Sequence, residues 1–150
     1  RYPRGRGRQK DWKSPMKLLE IGIAEQRIEG DEIAVLSIGH VGSEVEEAIN
    51  EMKDKRISSY NMRFVKPLDE KLLHKVFSKY QKIITVEDGS IIGGFGSSIN
   101  DFKNRHNYTI PLVNLGVPDH FISHGPVSEL RKFCGFDKEG ISRTLNELIQ

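Results

Sequence analysis

The sequence predicts a three-layer α/β domain: a mostly parallel sheet with one antiparallel edge strand, covered by helices on both faces. Short, nearly continuous apolar runs alternate along the chain with segments whose apolar residues recur at helical spacing. The connections between them are short, which favours parallel strands joined by crossover helices. The first candidate strand breaks this pattern, because Glu20 to Ile28 carries Glu25, Gln26 and Arg27 and runs straight into Gly30-Asp31 and the next strand. A tight turn joins antiparallel neighbours, so this strand is placed at an edge, antiparallel to the rest.

Taken in order, RYPRGRGRQKDWKSP reads as an irregular arm, since Pro, Gly and charge leave no sustained apolar period. Ile33, Ala34, Val35, Leu36, Ser37 and Ile38 form an apolar run suited to a strand covered on both faces. The same holds for Ile83 to Val86, and for Leu112, Val113 and Leu115, while Asn61 to Val65 is a weaker candidate. Val45, Ala48, Ile49 and Met52 share one helical face, as do Leu72, Leu73, Val76, Phe77 and Tyr80. Gly125-Pro126 ahead of Val127, Leu130 and Phe133 predicts a helix with proline at its first position, and Ile141, Leu145, Leu148 and Ile149 predict a closing helix.

A length of 150 residues suits one domain with a core of its own. No apolar run approaches the roughly 20 residues of a membrane span, and no charged, apolar leader opens the chain, so a soluble, non-secreted protein is expected. The single Cys134 has no internal disulfide partner and points to a reducing cytoplasm. Charge is uneven. Residues 1–17 hold seven cations against Asp11 alone and carry +6, whereas the remainder, with 16 basic and 20 acidic residues, carries −4. A domain of that sign is a poor nucleic-acid surface, and no nucleic-acid partner is expected; only the arm could make such a contact.

The stretch VEDGSIIGGFGSSINDF, residues 86–102, is the best candidate for a site, because glycines opening a helix can cradle phosphate. Gly94 and Gly96 fit the first two positions of the dinucleotide fingerprint, but Ile99 stands where it needs Gly or Ala. No Lys-Ser/Thr follows, so this is no P-loop. Ile92, Phe95, Ile99 and Phe102 instead form an apolar stripe beside the small and polar Gly93, Gly96, Ser97 and Asn100. Small residues admit another backbone at close range, and the loop is read as a helix start packed tightly on a neighbour.

Glu87-Asp88 could form an acid/base pair, yet acids at a strand end more often complement a helix dipole. His40, His74, His106, His120 and His124 show no metal spacing, and Cys134, between Phe133 and Phe136, reads as a small buried hydrophobe with no partner base. No catalytic, cofactor or metal residue is therefore assigned. The arm admits three readings: a nucleic-acid contact through RGRGR, a soluble linker, or a positioned guanidinium at Arg4 matched to a phosphate.

RYPRG at 1–5, RFVKPLDE at 63–70, TVEDGSIIGGFGSSIND at 85–101, LGVPDHFISHG at 115–125 and GFDKEGI at 135–141 together resemble the C-terminal domain of the 1-deoxy-D-xylulose-5-phosphate synthases. These are transketolase-like thiamine diphosphate enzymes, and the motifs occur in the family's order across nearly the whole chain. The resemblance implies a transketolase C-terminal fold with a five-stranded mixed sheet over residues 18–150. Residues 1–17 become the end of a preceding pyrimidine-binding domain and a basic linker. It further implies a larger, cytoplasmic, homodimeric transferase using thiamine diphosphate and magnesium. Such an enzyme condenses pyruvate, with decarboxylation, and glyceraldehyde 3-phosphate, for isoprenoid, thiamine and pyridoxal synthesis. Both cofactor-binding domains would precede this one, so the isolated domain is expected to be structural and inactive. Arg4 alone matches a functional position, the one expected to hold the phosphate of the aldehyde substrate. The alternatives are a stand-alone nucleotide-binding module or a nucleic-acid contact through the basic arm.

Overall fold

A computed structural model describes residues 17–150. Within them the strands are β1 (Glu25–Ile28), β2 (Ile33–Ile38), β3 (Ile57–Asn61), β4 (Lys82–Ser90) and β5 (Leu112–Val117). The helices are α1 (Gly42–Met52), α2 (Glu70–Lys79), α3 (Phe95–Arg105), α4 (Val127–Cys134) and α5 (Lys138–Ile149), with a 3-10 turn at Gly39–Val41. The five strands form one sheet in the order β1-β3-β2-β4-β5. All neighbours are parallel except β1 and β3, so the expected mostly parallel sheet with an antiparallel edge is what the chain builds.

Alternation of side chains along β2 explains why its apolar run is continuous. Ile33 and Val35 point to a core shared with Val45, Ala48 and Ile49 of α1 and with Ile141 and Leu145 of α5. Ala34 and Leu36 point to the opposite face, against Leu73, Val76 and Phe77 of α2 and Phe95, Ile99 and Phe102 of α3. A strand buried on both faces needs an apolar residue at every position, which gives up period two in favour of a run.

Three expectations need correction. The edge strand is β1, but it is shorter than Glu20 to Ile28 and its antiparallel partner is β3, with Glu25 opposite Asn61, rather than the β2 that follows it in sequence. The Gly30-Asp31 link is no hairpin: the amides of Asp31, Glu32 and Ile33 all converge on the Arg56 carbonyl, carrying the chain past the start of β3. The third strand covers Ile57–Asn61, not Asn61 to Val65. Its buried Ser58 and Ser59 hide it from an apolar scan. Pro126 is the residue before α4 rather than its first position, and of the apolar residues read on that helix Val127 and Phe133 face solvent.

The resemblance motifs have structural work in this frame. Asp69 of RFVKPLDE caps α2, its Oδ1 accepting from Leu72 N at 2.9 Å, while its Oδ2 accepts from Ala24 N at 3.0 Å and fixes the segment entering β1. Asp137 of GFDKEGI caps α5 through Gly140 N at 3.0 Å, directly after Gly135 has ended α4 in the left-handed conformation.

Gly30 allows the crossing to β2. A Cβ there would stand 2.5 Å from the Ile57 carbonyl carbon, a contact with backbone that no rotamer can relieve. Gly30→Ala is expected to cost about 2–3 kcal/mol through this overpacking. Urea unfolding monitored by circular dichroism measures it, and an unchanged midpoint would show that the β1–β2 link can move aside.

Candidate functional site

In open α/β sheets, ligand crevices form beyond the carboxyl ends of the strands, where the chain order reverses direction. Here that point lies between β2 and β4, since β3 extends the sheet on one side of the pair and β5 on the other. The 3-10 turn and α1 leave the end of β2, and the glycine loop and α3 leave the end of β4. His40, Glu44, Glu87, Asp88, Gly94 and Gly96 are therefore brought to one place, as the reading of the glycine loop as a possible cradle requires.

The crevice is filled by the protein's own side chains. Glu87, only 5% exposed, turns its carboxylate into the first turn of α3: Phe95 N donates to Oε2 and Gly96 N to Oε1, both at 2.8 Å. Charge-assisted hydrogen bonds to helix N-terminal amides, aligned with the macrodipole, are what a bound phosphate would supply. A third nearby amide, Gly93 N, donates to Ser97 Oγ at 2.9 Å. Gly94 and Gly96 make room for this arrangement and for no ligand. A Cβ at Gly94 would lie 2.3 Å from Glu87 Oε2, and one at Gly96 would lie 2.8 Å from Thr85 Oγ1 and 2.9 Å from Asn114 Cγ. Thr85 Oγ1 donates to Asn114 Oδ1 at 2.8 Å, joining β4 to β5 beneath the helix start. Close packing, rather than a phosphate cradle, is thus the role of Gly94 and Gly96. Gly93 instead meets no atom within 4 Å and has a φ of 75°, and Ile92 leaves the apolar stripe for solvent.

Asp88 faces the other way. Its Oδ2 lies 2.9 Å from His40 Nε2 and 2.8 Å from Arg131 Nη2, while Arg131 Nη1 reaches Glu44 Oε1 at 3.4 Å. Arg131 is 13% exposed, so α4 is braced across the mouth of the crevice by a half-buried ion cluster. Nothing in the spacing of α4 announces this arginine; its partners lie on α1 and at the end of β4. The thiol of Cys134, at the end of α4, is pushed up in pKa by burial and by nearby Asp88, and it packs against the α1/α5 core as a hydrophobe would.

Four of the five histidines engage in packing or ion pairs, His40 through Asp88, while His124 is exposed. His74 Nδ1 lies 2.8 Å from Tyr108 Oη, and its ring sits edge-on to Phe102 and His106, whereas His120 lies edge-on to Phe133. Among the described residues no group of three or more His, Cys, Asp or Glu is placed to hold a metal ion, and no helix is long and apolar enough to cross a membrane. Arg4 lies outside the described residues.

The model of the transketolase C-terminal domain matches residues 22–141. The chain belongs to the transketolase C-terminal domain family. Relatives of this transketolase-type domain include the 1-deoxy-D-xylulose-5-phosphate synthase of Cytophaga hutchinsonii, 47% identical over 150 residues, covering 99% of this chain and 24% of the relative. The synthase of Parabacteroides distasonis is 49% identical over 149 residues, covering 98% of this chain and again 24% of the relative. The chain thus spans about a quarter of the length of the curated relatives it matches. Among solved structures, a split-gene transketolase described as an inactive β4 tetramer superposes with a TM-score of 0.79 at 26% identity, covering 89% of this chain and 44% of that one. A transketolase from Leishmania mexicana shares the fold, with a TM-score of 0.59 at 17% identity over 83% of this chain and 18% of that one.

A diphosphate does not fit at the start of α3, because the amides it would need there already donate to Glu87. Removing that carboxylate leaves two buried donors at the start of α3 unpaired. Glu87→Ala is expected to destabilise the domain by about 2–4 kcal/mol, and Glu87→Gln, which retains an acceptor, by roughly half of that. Chemical denaturation of the two variants checks the order; equal, small losses would show that water replaces the carboxylate.

Proposed function

We propose that this chain supplies the C-terminal domain of a longer 1-deoxy-D-xylulose-5-phosphate synthase, a thiamine diphosphate-dependent transferase condensing pyruvate and glyceraldehyde 3-phosphate. The observation that carries this reading is 47% identity to a synthase along 150 residues that make up 24% of it. In that enzyme the cofactor, when bound with magnesium, supplies the carbanion chemistry, and residues 18–150 are a packing module rather than a source of reacting groups. The closed crevice favours this over a nucleotide-binding module, since its best anion site already holds Glu87. A homodimeric assembly and a cytoplasmic location belong to the same reading. So does the division at residue 17, with residues 1–17 ending a pyrimidine-binding domain and leading into this one.

Arg4 is assigned the phosphate of glyceraldehyde 3-phosphate. A guanidinium offers a planar pair of donors to a phosphate dianion, and the phosphate does not react, so the contact holds substrate and transition state alike. Loss of such uniform binding appears in KM rather than in kcat. In the full-length enzyme, Arg4→Ala is expected to raise KM for glyceraldehyde 3-phosphate by about 10- to 100-fold, with KM for pyruvate little changed. Steady-state kinetics with each substrate varied in turn decides it, and an unchanged aldehyde KM removes Arg4 from the substrate site.

The purified 150-residue chain is expected to show no saturable heat of binding with thiamine diphosphate and magnesium in titration calorimetry. Tight binding would place the cofactor site within this domain and overturn the modular reading.

A further inference from the structure

The large apolar side chains left open to solvent are not scattered. Leu19 and Ile21 precede β1, Val65 follows β3, Ile92 follows β4, Phe121 follows β5, and Phe133 lies on α4, which Arg131 ties to the ends of β4 and α1. Because β1 runs antiparallel, its start lies at the same edge as the ends of the other four strands. Every one of these side chains is therefore carried by a segment at the carboxyl edge of the sheet. The turns at the opposite edge, residues 29–32, 53–56 and 106–111, carry none. Exposed apolar side chains gathered along one edge of a domain mark a candidate protein interface.

Part of the edge is a cleft. Ile21 to Ile23, Val65 to Lys71 and the start of α3 at Gly93, Ser97 and Ser98 line it together. Its rim balances Lys66, Lys71 and Arg105 against Asp69, Glu70 and Asp101, and the arginine pairs with Asp101 at 3.0 Å. A balanced rim around apolar walls suits a polypeptide surface, whereas an anionic ligand would call for excess cations.

We propose that this carboxyl edge, centred on Ile21, Val65 and Ile92, is where the preceding domain of the same longer polypeptide docks. The inference rests on the proposed reading of the chain as a C-terminal domain. On that reading the rest of the polypeptide joins through residues 1–17, and residues 21–23, which follow soon after, line the cleft at this edge, next to the bond from Ala24 N to Asp69. The relatives are about four times the length of this chain, so ample protein exists to cover the edge. A tethered neighbour arriving at Leu18 also meets the edge at high effective concentration, without the association cost that a separate copy bears. Domain interfaces within a chain bury on the order of 600–1,500 Å², the scale that several large side chains and a cleft provide.

Hydrogen exchange read by mass spectrometry, comparing the 150-residue chain with the full-length enzyme, tests this. Amides of residues 18–23, 64–71 and 91–98 should exchange on the order of tenfold more slowly in the full-length enzyme, with residues 53–56 unchanged. The double variant Ile21→Asp with Ile92→Asp should abolish that slowing, and Lys55→Glu, at the opposite edge, should leave it intact. Equal exchange at the edge in the two proteins overturns the proposal. So does a dimer of the isolated chain in sedimentation that Ile92→Asp dissolves, since a second copy would then be the occupant. Turnover of pyruvate and glyceraldehyde 3-phosphate, measured on the same full-length preparation, separates the two readings: an active enzyme with an unprotected edge removes the interface and leaves the function standing.

Discussion

The carboxylate of Glu87 decides what the ends of the central strands can be used for. It leaves β4 where the sheet opens and turns into the first amides of α3 eight residues later, so strand and helix are joined by two charge-assisted bonds in a nearly dry site. A buried carboxylate needs such partners, and the helix start needs an acceptor; each removes the other's desolvation cost. The surrounding sequence follows from that pairing. Gly94 and Gly96 are required because side chains there would strike the carboxylate or Thr85, and Thr85 and Asn114 fill the space beneath the helix with a bond of their own.

With the first turn of α3 satisfied internally, the rest of the crevice can be closed from above. Asp88, the next residue, points to the opposite face of the strand and joins His40, Arg131 and Glu44. Adjacent acids thus do different work: one anchors α3 below, the other helps hold α4 across the opening. The two therefore do not form an acid/base pair with each other. Exposed ion pairs contribute little to stability, but Arg131 and Glu44 are mostly withdrawn from solvent, where geometry rather than strength is what the pairing supplies.

How much of this could be read from the sequence depends on how local each cause is. The runs of β2 and β4 were legible because burial on both faces writes itself into consecutive residues. Ile57–Asn61 was not, since its interior serines look like turn residues until their partners are known: Ser58 Oγ accepts from Gly30 N at 2.7 Å and lies 2.7 Å from Tyr80 Oη. The pairing of β1 with β3 was hidden for a related reason. A short link normally implies a hairpin, but here three amides gathered on one carbonyl of Arg56 carry the chain past its neighbour. The failure of the fingerprint at Ile99 was visible, and so was the affinity of Glu87 for a helix start. Arg131 was not, because both of its acidic partners come from elements distant in sequence.

The same closure bears on what the carboxyl edge can offer a neighbour. A surface whose loops must be ordered on contact loses affinity to that ordering, whereas one held rigid beforehand does not. Here the loop after β4 is held by Glu87 and Ser97, the loop after β3 by the cap of Asp69, and α4 by Arg131. Each of these segments carries an exposed apolar side chain, Ile92, Val65 or Phe133. Polar groups that would serve a ligand in a doubly wound nucleotide-binding domain are spent in this one on stiffening. Apolar groups that would otherwise be a liability in water are left facing outward on a rigid frame. That combination is what the proposed docking of a neighbouring domain requires.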